Sequence, residues 1–377
     1  AGIAIANLTE DNGLFIRARQ AREETIIAQE DELRRLTMLE AASNLENQTY
    51  TDKNGDSATI PAGYAVSQVE GENIINEGLV IIDKNGNEYV WIKVPKSTQV
   101  YSQTGIEITN FTSSEYEKIE KDLYQYTIKY KNNNEDETTS IFSDSYYDFE
   151  SLGLTNTQYI SLKQSMLKSI YENGGFWLGR YEAGSNENRS TNSDISKIKV
   201  LSQANLYPIT YVTRSQANTL AQKVMENSSD FNSSLIFGIQ YDLVLKFLEN
   251  TGTSLNDLID NSMKWGNYYN STFKINRGKY AQYGYLDKWH DFNQNTNNCV
   301  NNSVKLQAKD KYNSILLTTG SSEQNKKNNI YDLAGNVWEW DFETSSVGAT
   351  CYRGGGYNDS QFDPTVIDRN EFQYLKP

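Results

Sequence analysis

A single histidine in 377 residues, His290, is too little for a multi-histidine metal centre, and its reading as a surface or half-buried loop residue needs no chemistry. Only two cysteines are present, Cys299 and Cys351, which excludes a cysteine-rich metal or disulfide scaffold and leaves at most one internal bond. Outside a cell they would form that bond; otherwise they are two separate buried thiols, because distance along the chain does not fix distance in space. No apolar run reaches the roughly 20 residues of a membrane helix. Basic residues are outnumbered, 35 against 49 acidic, so the chain carries a net charge of −14 and nucleic acid is a poor partner. Gly-x-Ser-x-Gly elbows, Walker A loops and His-Glu-x-x-His pairs are missing as well.

What is abundant points elsewhere. Twenty-six Tyr, 13 Phe and a hydrophobic content of 37% suffice for a packed interior. Plentiful Asn, Ser, Thr and Gly beside only five Pro suits hydrogen-bonded loops of an exported protein rather than buried acid–base chemistry. From residue 14 to 45 neither Gly nor Pro interrupts a helical pattern of Leu14, Ala18, Ala21, Ala28, Leu33, Leu36 and Leu39. That predicts a protruding helix of about 30 residues and about 45 Å. Asp52-Lys-Asn-Gly55 and Asp83-Lys-Asn-Gly86 are turn signals between strand-like runs and predict two hairpins. The tryptophans of Val337-Trp-Glu-Trp340 are two apart, which predicts a strand with both indoles in the core and Glu339 on the opposite face.

Asp332-Leu-Ala-Gly-Asn-Val-Trp-Glu-Trp340 followed by Arg353-Gly-Gly355 closely resembles the signature of formylglycine-generating-enzyme-like domains, a branch of the C-type lectin fold. Earlier pieces fit in the same order: Tyr89-Val-Trp-Ile-Lys-Val-Pro95, Gly175-Phe-Trp-Leu-Gly-Arg-Tyr-Glu-Ala183, Tyr207-Pro-Ile-Thr-Tyr-Val-Thr213 leading into a helix over 215–226, Leu235 to Val244, and Trp265-Gly-Asn-Tyr268. The resemblance covers residues 49–377 and implies an α+β, C-type-lectin-like domain after an N-terminal segment of residues 1–48. Residues 1–25, with Ala1-Gly-Ile-Ala-Ile and Glu10-Asp-Asn-Gly-Leu14, are similar to the start of type IV pilin-like proteins of Gram-positive bacteria. This implies a stem that contacts other pilin subunits and reaches a membrane only through a missing N-terminal segment, at the cell surface or in a pilus.

Enzymes of the resembled family use a cysteine pair after Arg-Gly-Gly for copper, or a histidine-rich iron site. Neither pattern stands here, so no catalytic residue and no redox metal are expected. The family's Gly-Asn-Val-Trp-Glu turn holds calcium, which places a possible structural Ca2+ on Gly335, Val337 and Glu339. In a subgroup the segment after Arg-Gly-Gly is hypervariable and binds ligand. By position that face is Tyr357, Asn358, Asp359, Gln361, Phe362, Asp363, Asn370, Phe372 and Tyr374, a mixture of aromatic and short polar residues like that of antibody paratopes. An ordinary Asn/Asp-rich loop has the same composition. The expectation is therefore a non-catalytic, surface-displayed binding protein, a pilin-like subunit or pilus-tip adhesin for a protein or glycan ligand. The alternatives are a divergent metal oxidase, a carboxylate-based glycan hydrolase, or a phage receptor-binding protein. Relatives of that family close with a Gly-Phe-Arg-Val strand, whereas this sequence stops at Tyr374-Leu-Lys-Pro377, so either that strand is outside this sequence or another segment substitutes for it.

Overall fold

The computed structural model describes residues 12–130, 142–147, 152–192, 194–225, 231–269, 271–273, 275–292, 304–305, 314–345, 350–359, 367 and 369–372. The fold is a mixture of helices and open, mainly antiparallel sheets. It begins with α1 (Asn12–Ser43), the uninterrupted helix of the sequence pattern. Residues 21–29 are all exposed, as expected of a projecting helix, but its last turns are docked. Thr37 and Ala41 are buried and Arg34 reaches into the domain, so the helix end belongs to the head.

Two hairpins follow, and both are built by the same local chemistry. In β1 (Gln48–Thr51) and β2 (Ser57–Ile60), Asp52 Oδ1 accepts from the N–H groups of Asn54 and Asp56. After β3 (Tyr64–Val66), β4 (Val80–Asp83) and β5 (Glu88–Lys93) repeat it, Asp83 Oδ1 accepting from Asn85 and Asn87. Gly55 and Gly86 take the left-handed backbone that closes each turn, at φ 86° and 83°.

α2 (Ser113–Tyr126), β6 (Phe142–Ser143) and α3 (Asn156–Asn173) lead to β7 (Gly175–Gly179), which completes the sheet β3-β4-β5-β7. Thr155 and Gln158 cap α3 reciprocally. Alternation assigns the two faces of this sheet. Val80, Ile82, Val90, Ile92 and Phe176 face the main core, while Ile81, Trp91 and Trp177 face the β1–β2 hairpin. β8 (Gly184–Ser185) pairs with β9 (Tyr207–Pro208), and Thr213 caps α4 (Arg214–Gln222), which overlaps the predicted 215–226 helix but starts one residue earlier and ends four residues sooner.

Residues 235–244 turn into α5 (Gly238–Asn250), whose Ile239, Tyr241, Leu243, Val244, Phe247 and Leu248 are buried in the centre of the domain. β10 (Thr272–Phe273) pairs with β13 (Val304–Lys305), and β11 (Lys279–Gln282) lies between β12 (Trp289–Asp291) and β14 (Ile315–Leu317). His290 is exposed on β12, 5.3 Å from the Tyr280 ring.

The last sheet holds β15 (Glu339–Ser345), β16 (Thr350–Arg353) and β17 (Arg369–Phe372), in the order β17-β16-β15-β6. Trp338 precedes the strand, and the tryptophan pair is not the core: Trp338 and Trp340 are half-buried and meet Tyr352 edge-on at 4.8 and 5.5 Å. Phe342, two residues on, fills the core instead. β17, within the segment expected to be a binding loop, is an edge strand that pairs Asn370 with Tyr352 and Phe372 with Thr350. A strand near the end of the chain therefore does cover β16.

Candidate functional site

Four of the sequence motifs meet at one hydrogen-bonded hub. Gly335 and Asn336 adopt positive φ, 74° and 62°, and a Cβ on Gly335 would lie 2.4 Å from the Asn267 carbonyl oxygen. Only glycine lets these two backbones touch. Asn336 then uses its whole side chain: Nδ2 donates to Glu182 Oε2 at 2.7 Å and to the Leu317 carbonyl, and Oδ1 accepts from Asn267 Nδ2 and the Leu317 N–H. Glu182 Oε1 accepts from the Val337 N–H at 3.1 Å. Glu182 comes from the Arg-Tyr-Glu motif and Asn267 from Trp-Gly-Asn-Tyr. The hub continues into the glycines, since the Gly335 N–H donates to the Gly354 carbonyl and the Tyr357 N–H to that of Asn336. Gly356 passes beneath Trp338, whose Cδ1 would stand 2.9 Å from an added Cβ. The glycine run thus crosses under Trp338.

Gly335, Val337 and Glu339 sit together in this turn. The carbonyl oxygens of Gly335 and Val337 and the carboxylate of Glu339 accept no hydrogen bond among the described residues. Burial, then the charge of Asp332, push Glu339 up to about 8, and burial with the same neighbours raises Glu182 well above the carboxylate range. Oxygens left without donors suit a hard cation, so the residues fit calcium in kind. Glu339 also borders a largely apolar cavity of about 280 Å3 between α4 and the hub, walled by Leu220, Tyr241, Leu333, Trp338 and Trp340.

Behind β15 lies a buried charge cluster that the sequence reading did not anticipate. Glu339, Asp341 and Glu343 alternate along the strand, and the latter two are fully buried. Arg353 Nη2 stands 2.7 Å from Asp242 Oδ1, in an angle poor for a hydrogen bond, and its guanidinium lies 4.1 Å over the Tyr241 ring. Arg369, from β17, donates to both Asp242 and Glu343 at 2.9 Å. Arg214 holds the backbone carbonyls of Asp341 and Glu343. Burial alone would raise Glu343, but Arg369 and Arg353 outweigh it and hold it at about 2. Asp341 forms no ion pair among the described residues, and burial followed by the Glu343 charge drives it well up against the smaller pull of Arg353 and Arg214.

Asp341, Glu343 and Cys351 bring three potential metal-ligand atoms within 4.8 Å of one another. Two guanidiniums already neutralise Glu343, and burial keeps the Cys351 thiol protonated. A cation at this group would have to compete with those guanidiniums and displace the thiol proton. Cys351 is a free thiol with Sγ 3.8 Å from Glu343 Oε2, and Cys299 lies outside the described residues.

Of the expected binding face the structure describes the side chains of three residues. Tyr357, Asn358 and Asp359 are half-buried, while Gln361, Phe362, Asp363 and Tyr374 lie outside the described residues. Asn370 and Phe372 are placed by backbone only, as members of β17. Asp359 Oδ2 accepts from the Gly356 N–H at 2.7 Å and so shapes its own turn. Tyr357 is not alone. Its ring lies 6.2 Å from Tyr283, and burial, then Tyr211 and Tyr283, hold its phenol well above the usual value. Tyr211, with φ 55°, is 44% exposed. Tyr283, remote in sequence, thus joins Tyr357, and Tyr211 acts on the same phenol from a third segment. The only sequence signal for them was the richness of 207–213 and 279–285 in tyrosine.

Comparison with protein-family models, with curated proteins and with solved structures yields no match for this chain.

Proposed function

We propose that this chain is a non-catalytic binding protein that presents an aromatic and polar face around Tyr357 on a helical stem. The observation that carries the reading is the meeting of Tyr283 and Tyr357 from separate segments in a patch that stays partly open to solvent, with the exposed Tyr211 acting on the same phenol. Rigid aromatics beside short polar groups make contact area at low entropic cost. Two of the buried acids are engaged in structure: Glu182 by Asn336 and Val337, Glu343 by two arginines. The projecting part of α1, together with the pilin-like spelling of residues 1–25, supports a pilin-like subunit or pilus-tip adhesin at the surface of a Gram-positive bacterium. Its helix would pack on other subunits.

A structural Ca2+ on Gly335, Val337 and Glu339 belongs to the same reading. It would fix the turn from which Tyr357 hangs, without entering any reaction.

The test is attachment of fluorescently labelled protein to panels of intact bacterial and epithelial cells. Saturable attachment should disappear in a Tyr211→Ala/Tyr357→Ala double variant whose melting temperature is within a few degrees of the parent. Attachment unaffected by the pair would overturn the assignment of the face. Stoichiometric copper or iron retained by the purified protein would overturn the non-catalytic reading.

A further inference from the structure

A second groove lies away from the Tyr357 patch. It has a volume of about 610 Å3, within the roughly 300–1,000 Å3 of small-molecule sites, and none of the tyrosines 211, 283 and 357 borders it. It opens where the β1–β2 hairpin stops covering the outer face of the β3-β4-β5-β7 sheet, so that Trp177 is left half-buried between the hairpin and α3. Trp91, directly opposite on β5, packs 5.0 Å behind it. The Trp177 indole N–H donates to the Thr59 carbonyl at 3.3 Å, which fixes the ring in place. Gly175 belongs to the same device. A Cβ there would lie 2.6 Å from the Trp91 ring, so the strand can pass the indole only as glycine.

The rim has a different character from the floor. Asn232 and Ser165 form no hydrogen bond among the described residues, and Gln240 uses only its Oε1, on the Phe237 N–H, leaving its amide nitrogen available. The charges at this rim cancel, because Lys168 and Glu172 pair at 3.9 Å one helical turn apart on α3. A held indole floor with a neutral amide and hydroxyl rim matches one chemistry in particular. The C–H face of a pyranose ring lies on an aromatic surface, and its hydroxyls bond in pairs to amides and hydroxyls, with no net charge required.

We propose that the groove between α3 and β7 binds a short neutral oligosaccharide, one ring of which stacks on Trp177. Acidic sugars gain nothing there, since the single lysine is already paired. This site is independent of the ligand face around Tyr357, and either can fail without the other.

The experiment is an array of neutral and anionic oligosaccharides, including gluco- and chito-oligosaccharides and sulfated glycans, probed with the full chain and followed by titration calorimetry of any hit. Ser165→Trp places a bulky ring in the groove from an exposed helical position, where folding tolerates it. A neutral oligosaccharide should bind, and Ser165→Trp should weaken it by about tenfold or more, the loss of roughly one good contact. Tyr357→Ala should leave the affinity unchanged. If Ser165→Trp melts below the parent, Ser169→Trp, one turn further along the exposed face, replaces it. No neutral oligosaccharide bound at millimolar concentration, a preference for sulfated chains, or binding lost in Tyr357→Ala and kept in Ser165→Trp would each overturn the proposal.

Discussion

Asp144 stands at the N-terminus of α5 and accepts from the N–H groups of Gly238 and Ile239 at 2.8 and 2.9 Å, yet burial and then the Glu343 charge push it up to about 7. The folded state therefore holds its proton more tightly than the unfolded chain does, where the ordinary value is 3.8. Its contribution to stability is present below about pH 4 and lost as pH rises through about 7. Asp144→Asn should flatten the fall of melting temperature across that window, and parallel curves for the two proteins would show Asp144 to be ionised throughout. Arg369→Ala has a sharper effect, because Asp242 and Glu343 would be left sharing Arg353 alone. A loss of about 3–5 kcal/mol in urea unfolding is expected, as for other broken buried pairs. Trp338→Ala should cost about 2 kcal/mol, less than the roughly 3–5 of a fully buried ring, since Trp338 is half open. Much of this scale was hidden in the sequence. The alternation of Glu339, Asp341 and Glu343 could have announced a shared face, but hydrophobicity patterns treat buried acids as exposed ones, and their arginine partners lie far off in the chain.

Elements were the most legible level, because they depend on local chemistry. The helix without Gly or Pro, the two Asp-x-Asn-Gly turns and the strands around Trp91 and Trp177 are all where their spelling put them. What local chemistry did not reveal is how elements are joined. Arg34 of α1 and the buried Arg180 of the β7 end both grip Glu72 Oε1 and Glu88 Oε2, at 2.6–2.8 Å. Burial would raise Glu72, but Arg180 and then Arg34 hold it at about 2. Arg180→Ala should cost about 3–5 kcal/mol, since it uncovers two buried carboxylates. Arg34→Ala, with Arg180 still in place and the site partly open, should cost about 1 kcal/mol. Hydrogen exchange in the last two turns of α1 should rise in the Arg34 variant; exchange there equal to the parent would mean that Thr37 and Ala41 alone hold the helix.

For the molecule as a whole, the order of motifs along the chain anticipated a head of mixed helices and sheets after a helix, while the boundary near residue 48 divides what packing unites. Removing residues 1–32 should leave melting unchanged, because residues 21–29 are all exposed and the docked turns of the helix begin after them. Removing residues 1–45 takes away Arg34, Thr37 and Ala41 and should lower the melting temperature by several degrees or more. Equal melting of the two truncations would restore the simpler division. The hub and the arginine cluster have one more consequence when taken together. On one side of the stretch 357–369, the Tyr357 N–H is fastened to the Asn336 carbonyl; on the other, Arg369 is clamped by Asp242 and Glu343. Between these two anchors Asp359 closes its own turn and Ile367 is buried in the main core. The frame that presents Tyr357 is thus tied to the hub at one end and to the arginine cluster and the core at the other, so loosening either end would be felt at the patch.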